Sequence, residues 1–163
     1  MDEKKLVRVY YGEGKGKTTA ALGLALKEAA VGNTTTVIQC LKNKNDVEMS
    51  FLQRLEPEIK LFRFEKSEGY YEDLSAEEQV EERNNLRNAL NFARKVLSTG
   101  SCELLILDEA LGLLDNGIIS IDELKELIDL KSDDTGLIIT GRTFPEDLLD
   151  LVDEVYRIET VKA

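Results

Sequence analysis

The chain has 163 residues, of which 42% are hydrophobic, and a formal net charge of −11. This length suits one domain, read here as residues 1–163, with enough apolar content for a single buried core. The acidic balance disfavours a general nucleic-acid binder, which spreads basic charge over a face, and the lack of any histidine excludes a Ser-His-Asp triad, a histidine base and most zinc sites.

Residues 6–11 follow a charged start and form the first of six short apolar runs. That start has no signal-peptide pattern, and no run is long enough to span a membrane. A helix is expected over about 17–31, a second strand over 36–41, a helix over about 46–55 and a third strand over 59–64. The segment 65–82 is acidic and carries Gly69, Tyr70 and Tyr71. It reads as a solvated loop running into a helix over about 76–98. Strands at 104–107, 137–140 and 155–158 and helices at about 121–130 and 145–152 complete the pattern. Ser75 with Glu78, Ser120 with Glu123 and Thr143 with Glu146 have capping-box spacing and mark three helix starts. Pro145 fits a first helical turn, where its missing N–H costs little. Several runs are nearly continuous Val, Ile and Leu, as in strands covered on both faces. The alternation predicts an α/β fold: a mainly parallel sheet with helices on both faces. Cys40 and Cys102 lack metal-like spacing and read as core thiols in a reducing compartment, here the cytoplasm.

Between the first strand and the first helix lies Gly12-Glu13-Gly14-Lys15-Gly16-Lys17-Thr18-Thr19. A glycine-rich loop in that context identifies a phosphate-binding loop. Glycines let backbone N–H groups close around phosphate oxygens, and the helix start adds unpaired N–H groups and a positive dipole end. Lys17 brings a full charge to the phosphates, Lys15 adds a second, and Thr18 offers a hydroxyl to Mg2+. The usual spacing places a glycine at position 11, which here is Tyr11, so the loop is one residue tighter. The acidic net charge does not oppose an anionic ligand, because the local basic loop dominates within a Debye length of about 8–10 Å.

Asp108 and Glu109 follow the strand at 104–107. Ligands of open α/β sheets sit at the carboxyl ends of strands, where a carboxylate holds Mg2+ directly or through water. Glu109 also suits the role of a base that activates water in a hydrolase. Arg142, after Thr140 and Gly141, is suited to clamp phosphate oxygens through two N–H groups; a surface arginine in a turn is the alternative. Gln39 and Lys42 end the second strand at the same edge.

Together these pieces resemble the P-loop type of ATP:corrinoid adenosyltransferase over roughly residues 6–162. The resemblance rests on the loop Gly12 to Thr19, on Gln39 with Lys42 and Glu48, and on Leu107-Asp108-Glu109. Asn116-Gly117, Thr140-Gly141-Arg142 and the ending around Asp153 and Val155 also fit. It implies a RecA-like sheet, a homodimer, and transfer of the 5′-deoxyadenosyl group of MgATP to cobalt(I) of a corrinoid, cobalamin or a precursor, with triphosphate leaving. It also implies a reductant, for which a flavoprotein is the candidate. Cobalt(I) is itself the nucleophile, so the protein need only position ATP and neutralise the leaving triphosphate.

On this combined reading Lys17, Arg142 and Glu109 are the catalytic residues. Contacts to ATP and the corrinoid fall to Gly12, Glu13, Gly14, Lys15, Gly16, Lys17, Thr18, Thr19, Gln39, Lys42, Arg142, Tyr70 and Tyr71, and Mg2+ falls to Thr18, Asp108 and Glu109. Family members press an aromatic cluster that includes a tryptophan on the lower corrinoid face. Here Tyr70 and Tyr71 remain, and Glu72 stands where the tryptophan does. The rival readings are a P-loop ATPase or kinase with Asp108 or Glu109 as base, and a nucleotide-binding regulatory protein derived from the transferase.

Overall fold

The six apolar runs become six strands in a computed structural model that describes residues 5–41 and 50–163. They are β1 (Val7–Tyr11), β2 (Thr35–Gln39), β3 (Ile59–Arg63), β4 (Leu104–Asp108), β5 (Gly136–Gly141) and β6 (Glu154–Arg157). Their order in the sheet is β3-β2-β4-β5-β1-β6, and every pairing is parallel. β2, β4 and β5 are buried along their whole length, as the continuous apolar runs require.

Helices cover both faces. α1 (Lys17–Ala30) packs Ala21, Leu22 and Ala25 on Val37, Ile106 and Ile138. α2 (Ala76–Thr99), α3 (Leu111–Asp115) and α4 (Ile121–Asp129) lie on the opposite face, against Ile38, Leu105, Leu107 and Ile139. The buried stripe of α2 is Leu86, Ala89, Leu90, Ala93, Val96 and Leu97, the spacing of one helical face. Ser75 caps α2 by accepting the Glu78 N–H, and Ser120 with Glu123 forms a complete capping box on α4. The whole is a RecA-like α/β fold. No helix among the described residues is long and apolar enough to cross a membrane.

Three expectations change. The helix expected over 145–152 is a 3-10 helix, Glu146–Leu151, with Pro145 at its N-cap in an extended conformation. Its expected cap is absent because the Thr143 hydroxyl donates to Asp115 Oδ1 at 2.7 Å instead. The helix expected over 46–55 is a 3-10 helix at Ser50–Leu55, and residues 42–49, including Lys42 and Glu48, lie outside the described residues. α3 was not expected, since five residues are too short to carry a readable helical period.

Parallel strands that return through helices and crossovers put every loop after a strand at one edge of the sheet. That edge gathers the segments after β1, β2, β3, β4 and β5. β5 lies between β1 and β4, so its last residues stand between the glycine-rich loop and Asp108.

Candidate functional site

β1 ends at Tyr11 and α1 begins at Lys17, so the glycine-rich loop joins them directly. Gly16 is the N-cap of α1 at φ 114 and offers no side chain to cap it. A Cβ at Gly16 would meet nothing within 4 Å. Among the described residues no side chain caps the N–H groups of the first turn of α1, the arrangement that accepts an anion. Lys17 is 7% exposed, and its ammonium donates to the Gly14 carbonyl at 2.9 Å, which folds the side chain back over the loop. Glu13, Lys15 and Thr19 are exposed around it.

Strand periodicity builds the second half of the site. On the α1 face, Val37, Ile106 and Ile138 are followed two residues later by Gln39, Asp108 and Thr140. Gln39 pairs in register with Asp108. Residues at the carboxyl ends of three adjacent strands, the last of β2 and β4 and the penultimate of β5, thus form a buried polar row in front of α1. Thr18 joins the row from α1: its hydroxyl donates to Asp108 Oδ1 at 2.8 Å. Thr140 donates to the same oxygen at 3.0 Å and accepts the Glu109 N–H at 2.8 Å. Two hydroxyls thus converge on one oxygen of a buried carboxylate.

Glu109 follows with φ 58, the left-handed region that a side chain rarely adopts. Its Oε2 lies 4.0 Å from where a Cβ on Gly112 would stand, so the carboxylate rests over the start of α3. Nearby, burial pushes the Cys40 thiol far above its ordinary range, and the charges of Asp108, Glu109 and Glu65 push it further. That thiol stays protonated and serves packing.

Arg142 stands exposed one residue past β5. The tyrosine pair divides. Tyr71 is 6% exposed and belongs to the core, with its hydroxyl accepting from Arg83 at 3.3 Å and its carbonyl accepting from Gln79 at 2.9 Å. Tyr71 is therefore a packing residue here, while Tyr70 is half-buried on the same loop. The loop itself is tied down by Glu82, 3% exposed, which accepts the Lys66 N–H at 3.0 Å and the Ser67 N–H at 3.1 Å.

Two residues of this arrangement escape sequence reasoning. Thr140 appears in sequence only as the neighbour of Gly141 and Arg142, and its link to Asp108 needs the strand order. Glu82 sits in an acidic run and looks solvated; only its place on the buried stripe of α2, four residues before Leu86, hints otherwise.

A family model described as ATP:corrinoid adenosyltransferase BtuR/CobO/CobP matches residues 3–163. The corrinoid adenosyltransferase of Escherichia coli (strain K12) is 27% identical over 163 residues, covering 99% of this chain and 80% of that one. The corrinoid adenosyltransferase of Pseudomonas aeruginosa is 25% identical over 164 residues, covering 99% and 78%. Among solved structures, the flagellar accessory protein FlaH from Methanocaldococcus jannaschii is similar with a TM-score of 0.57 at 15% identity, covering 94% of this chain and 70% of that one. That likeness concerns the fold alone.

Proposed function

The chain belongs to the family of ATP:corrinoid adenosyltransferases, and on that premise we propose that it transfers the 5′-deoxyadenosyl group of MgATP to cobalt(I) of a corrinoid. The new bond is cobalt–carbon, formed by the electron pair of cobalt(I). The bond that breaks is C5′–O, and the triphosphate leaves with its electrons. The observation that carries this reading is the glycine-rich start of α1, with Lys17 turned over the loop, set beside a buried row of oxygen ligands in which Thr18 meets Asp108.

The triphosphate rests on the loop, Gly12 to Thr19, with Lys15, Lys17 and Arg142 neutralising it. Mg2+ needs oxygen ligands. The Thr18 hydroxyl and the Asp108 carboxylate are oxygen donors already 2.8 Å apart beside the loop, so the residues present fit that ion. When bound it supplies charge against the leaving triphosphate. Asp108 and Thr18 hold it, Thr140 orients Asp108, and Glu109 contributes from the adjoining turn. Gln39 bounds the nucleotide on the β2 side. Tyr70 is the ring offered to the corrinoid. A flavoprotein-type donor supplies cobalt(I), and the enzyme acts as a homodimer.

Anaerobic incubation with MgATP and chemically reduced cobalamin tests the proposal. The visible spectrum of adenosylcobalamin should appear with triphosphate in equal amount. Release of ADP and phosphate in its place supports a hydrolase with Glu109 as base and overturns the transferase.

A further inference from the structure

Beyond β1, two loop amides continue the ladder of the sheet. The Gly12 N–H donates to the Gly141 carbonyl at 3.1 Å, and the Gly14 N–H donates to the Ile158 carbonyl at 3.2 Å. Ile158 is itself held by its own N–H, which donates to the Tyr11 carbonyl at 2.7 Å. The backbone that follows β6 therefore lies directly on the loop. A Cβ on Gly12 would stand 2.2 Å from the Ile158 oxygen. A Cβ on Gly14 would stand 2.9 Å from that oxygen and 3.0 Å from Glu159 C and Thr160 N. These neighbours are backbone atoms and cannot swing aside as a side chain can. Gly14 also lacks the positive φ that marks Gly12 and Gly16, so only the crowding by residues 158–160 demands glycine there.

We infer that residues 158–160 form a backbone strap on the phosphate loop, positioning it for the nucleotide and withdrawing the Gly14 amide from the ligand. This deepens the phosphate-loop reading and rests on it. The strap divides the labour among the loop glycines. Gly12 and Gly14 permit close approach of the strap, while Gly16 turns the chain into the open start of α1. Triphosphate oxygens are then received by the N–H groups at that helix start and by Lys17, and the height of the loop is set from the edge strand β6. Residues 158–160 act through the loop they touch, so they are positioning residues.

Amide hydrogen exchange on the full chain, read residue by residue by NMR, tests this without any substitution. The Gly14 N–H should be protected before nucleotide is added and change less than about twofold with MgATP. The amides of Gly16 and Lys17 should gain protection on MgATP binding. A Gly14 amide that is unprotected alone and becomes protected with MgATP overturns the strap.

A double-mutant cycle gives a second readout. Gly14→Ala should weaken MgATP binding by roughly 5- to 100-fold, the range set by forcing one methyl into a packed site. In an Ile158→Pro background, which removes the bond to Tyr11, the same change should cost less than about twofold. Equal costs in both backgrounds overturn the proposal. Lys17→Ala, measured alongside, separates the two readings. If it leaves MgATP affinity unchanged, the phosphate loop falls and the strap's role with it. If it abolishes binding while the cycle is additive, only the strap falls.

Discussion

Thr140→Val replaces a hydroxyl by a methyl of nearly the same shape at a position with no exposure. Two things are lost. The 3.0 Å bond to the Asp108 carboxyl goes, and a hydrogen bond of this kind contributes about 0.5–1.5 kcal/mol, or more where its partner is ionised. The Glu109 N–H loses its 2.8 Å acceptor, and a buried donor without a partner costs about 1–3 kcal/mol. Asp108 keeps its bond to Thr18, which offsets part of the first loss, so a net destabilisation of about 2–4 kcal/mol is expected. For a domain of this size that lowers Tm by roughly 5–15 °C. MgATP affinity should fall as well, because Glu109 loses the contact that holds its left-handed turn. Thermal melts followed by circular dichroism, with titration calorimetry of MgATP, give both quantities. Thr140→Ser keeps the hydroxyl and should recover most of each. A Thr140→Val protein that melts within about 2 °C of the parent refutes the argument that Thr140 organises Asp108 and Glu109.

Lys17→Ala should lower MgATP affinity by roughly 10- to 100-fold with an unchanged melt, as loss of one charge-assisted phosphate contact implies; calorimetry checks it. Glu109→Gly relieves a left-handed backbone strain on the order of 1–2 kcal/mol, so Tm should rise by a few degrees while adenosyl transfer falls; a lower Tm contradicts the strain. Tyr71→Ala should cost about 3–5 kcal/mol, as truncation of a buried aromatic does, whereas Tyr70→Ala should leave the melt intact and reduce only corrinoid turnover. Glu103 accepts the Thr34 N–H at 2.6 Å and the Thr34 hydroxyl at 2.7 Å, and these bonds hold its pKa below the ordinary 4.5. Its stabilisation is therefore fully present above that value and is lost as pH falls through the lower folded value. Melts between about pH 5 and 3 should decline less steeply in Glu103→Gln than in the parent.

The strands were legible because β2, β4 and β5 are covered on both faces and so read as unbroken apolar runs. The same property hid the site. A strand buried on both faces has no alternation to show which side meets α1, so the polar row of Gln39, Asp108 and Thr140 could not be assembled from sequence. The starts of α2 and α4 were marked by side chains that do cap them, Ser75 and Ser120. The mark at Thr143 misled because a closer partner, Asp115, claims its hydroxyl. The strap escapes the sequence altogether. Nothing in Ile158, Glu159 or Thr160 announces contact with glycines near the other end of the chain, and glycines in a phosphate loop already have a sufficient explanation in the ligand.

The groups at the carboxyl edge narrow the chemistry by what each is already doing. Thr18 and Thr140 both donate to Asp108 Oδ1, which ties the two hydroxyls to one carboxylate. The Cys40 thiol is held protonated by burial and by the neighbouring carboxylates. Lys17 is turned onto the Gly14 carbonyl as a cation. Groups of this kind are suited to bind a polyanion, orient it and stabilise charge on it as it departs. A substrate that carries its own strong nucleophile, as a reduced corrinoid does, needs from the protein the loop, the oxygen-rich row and the cations, and those are what the fold assembles at that edge.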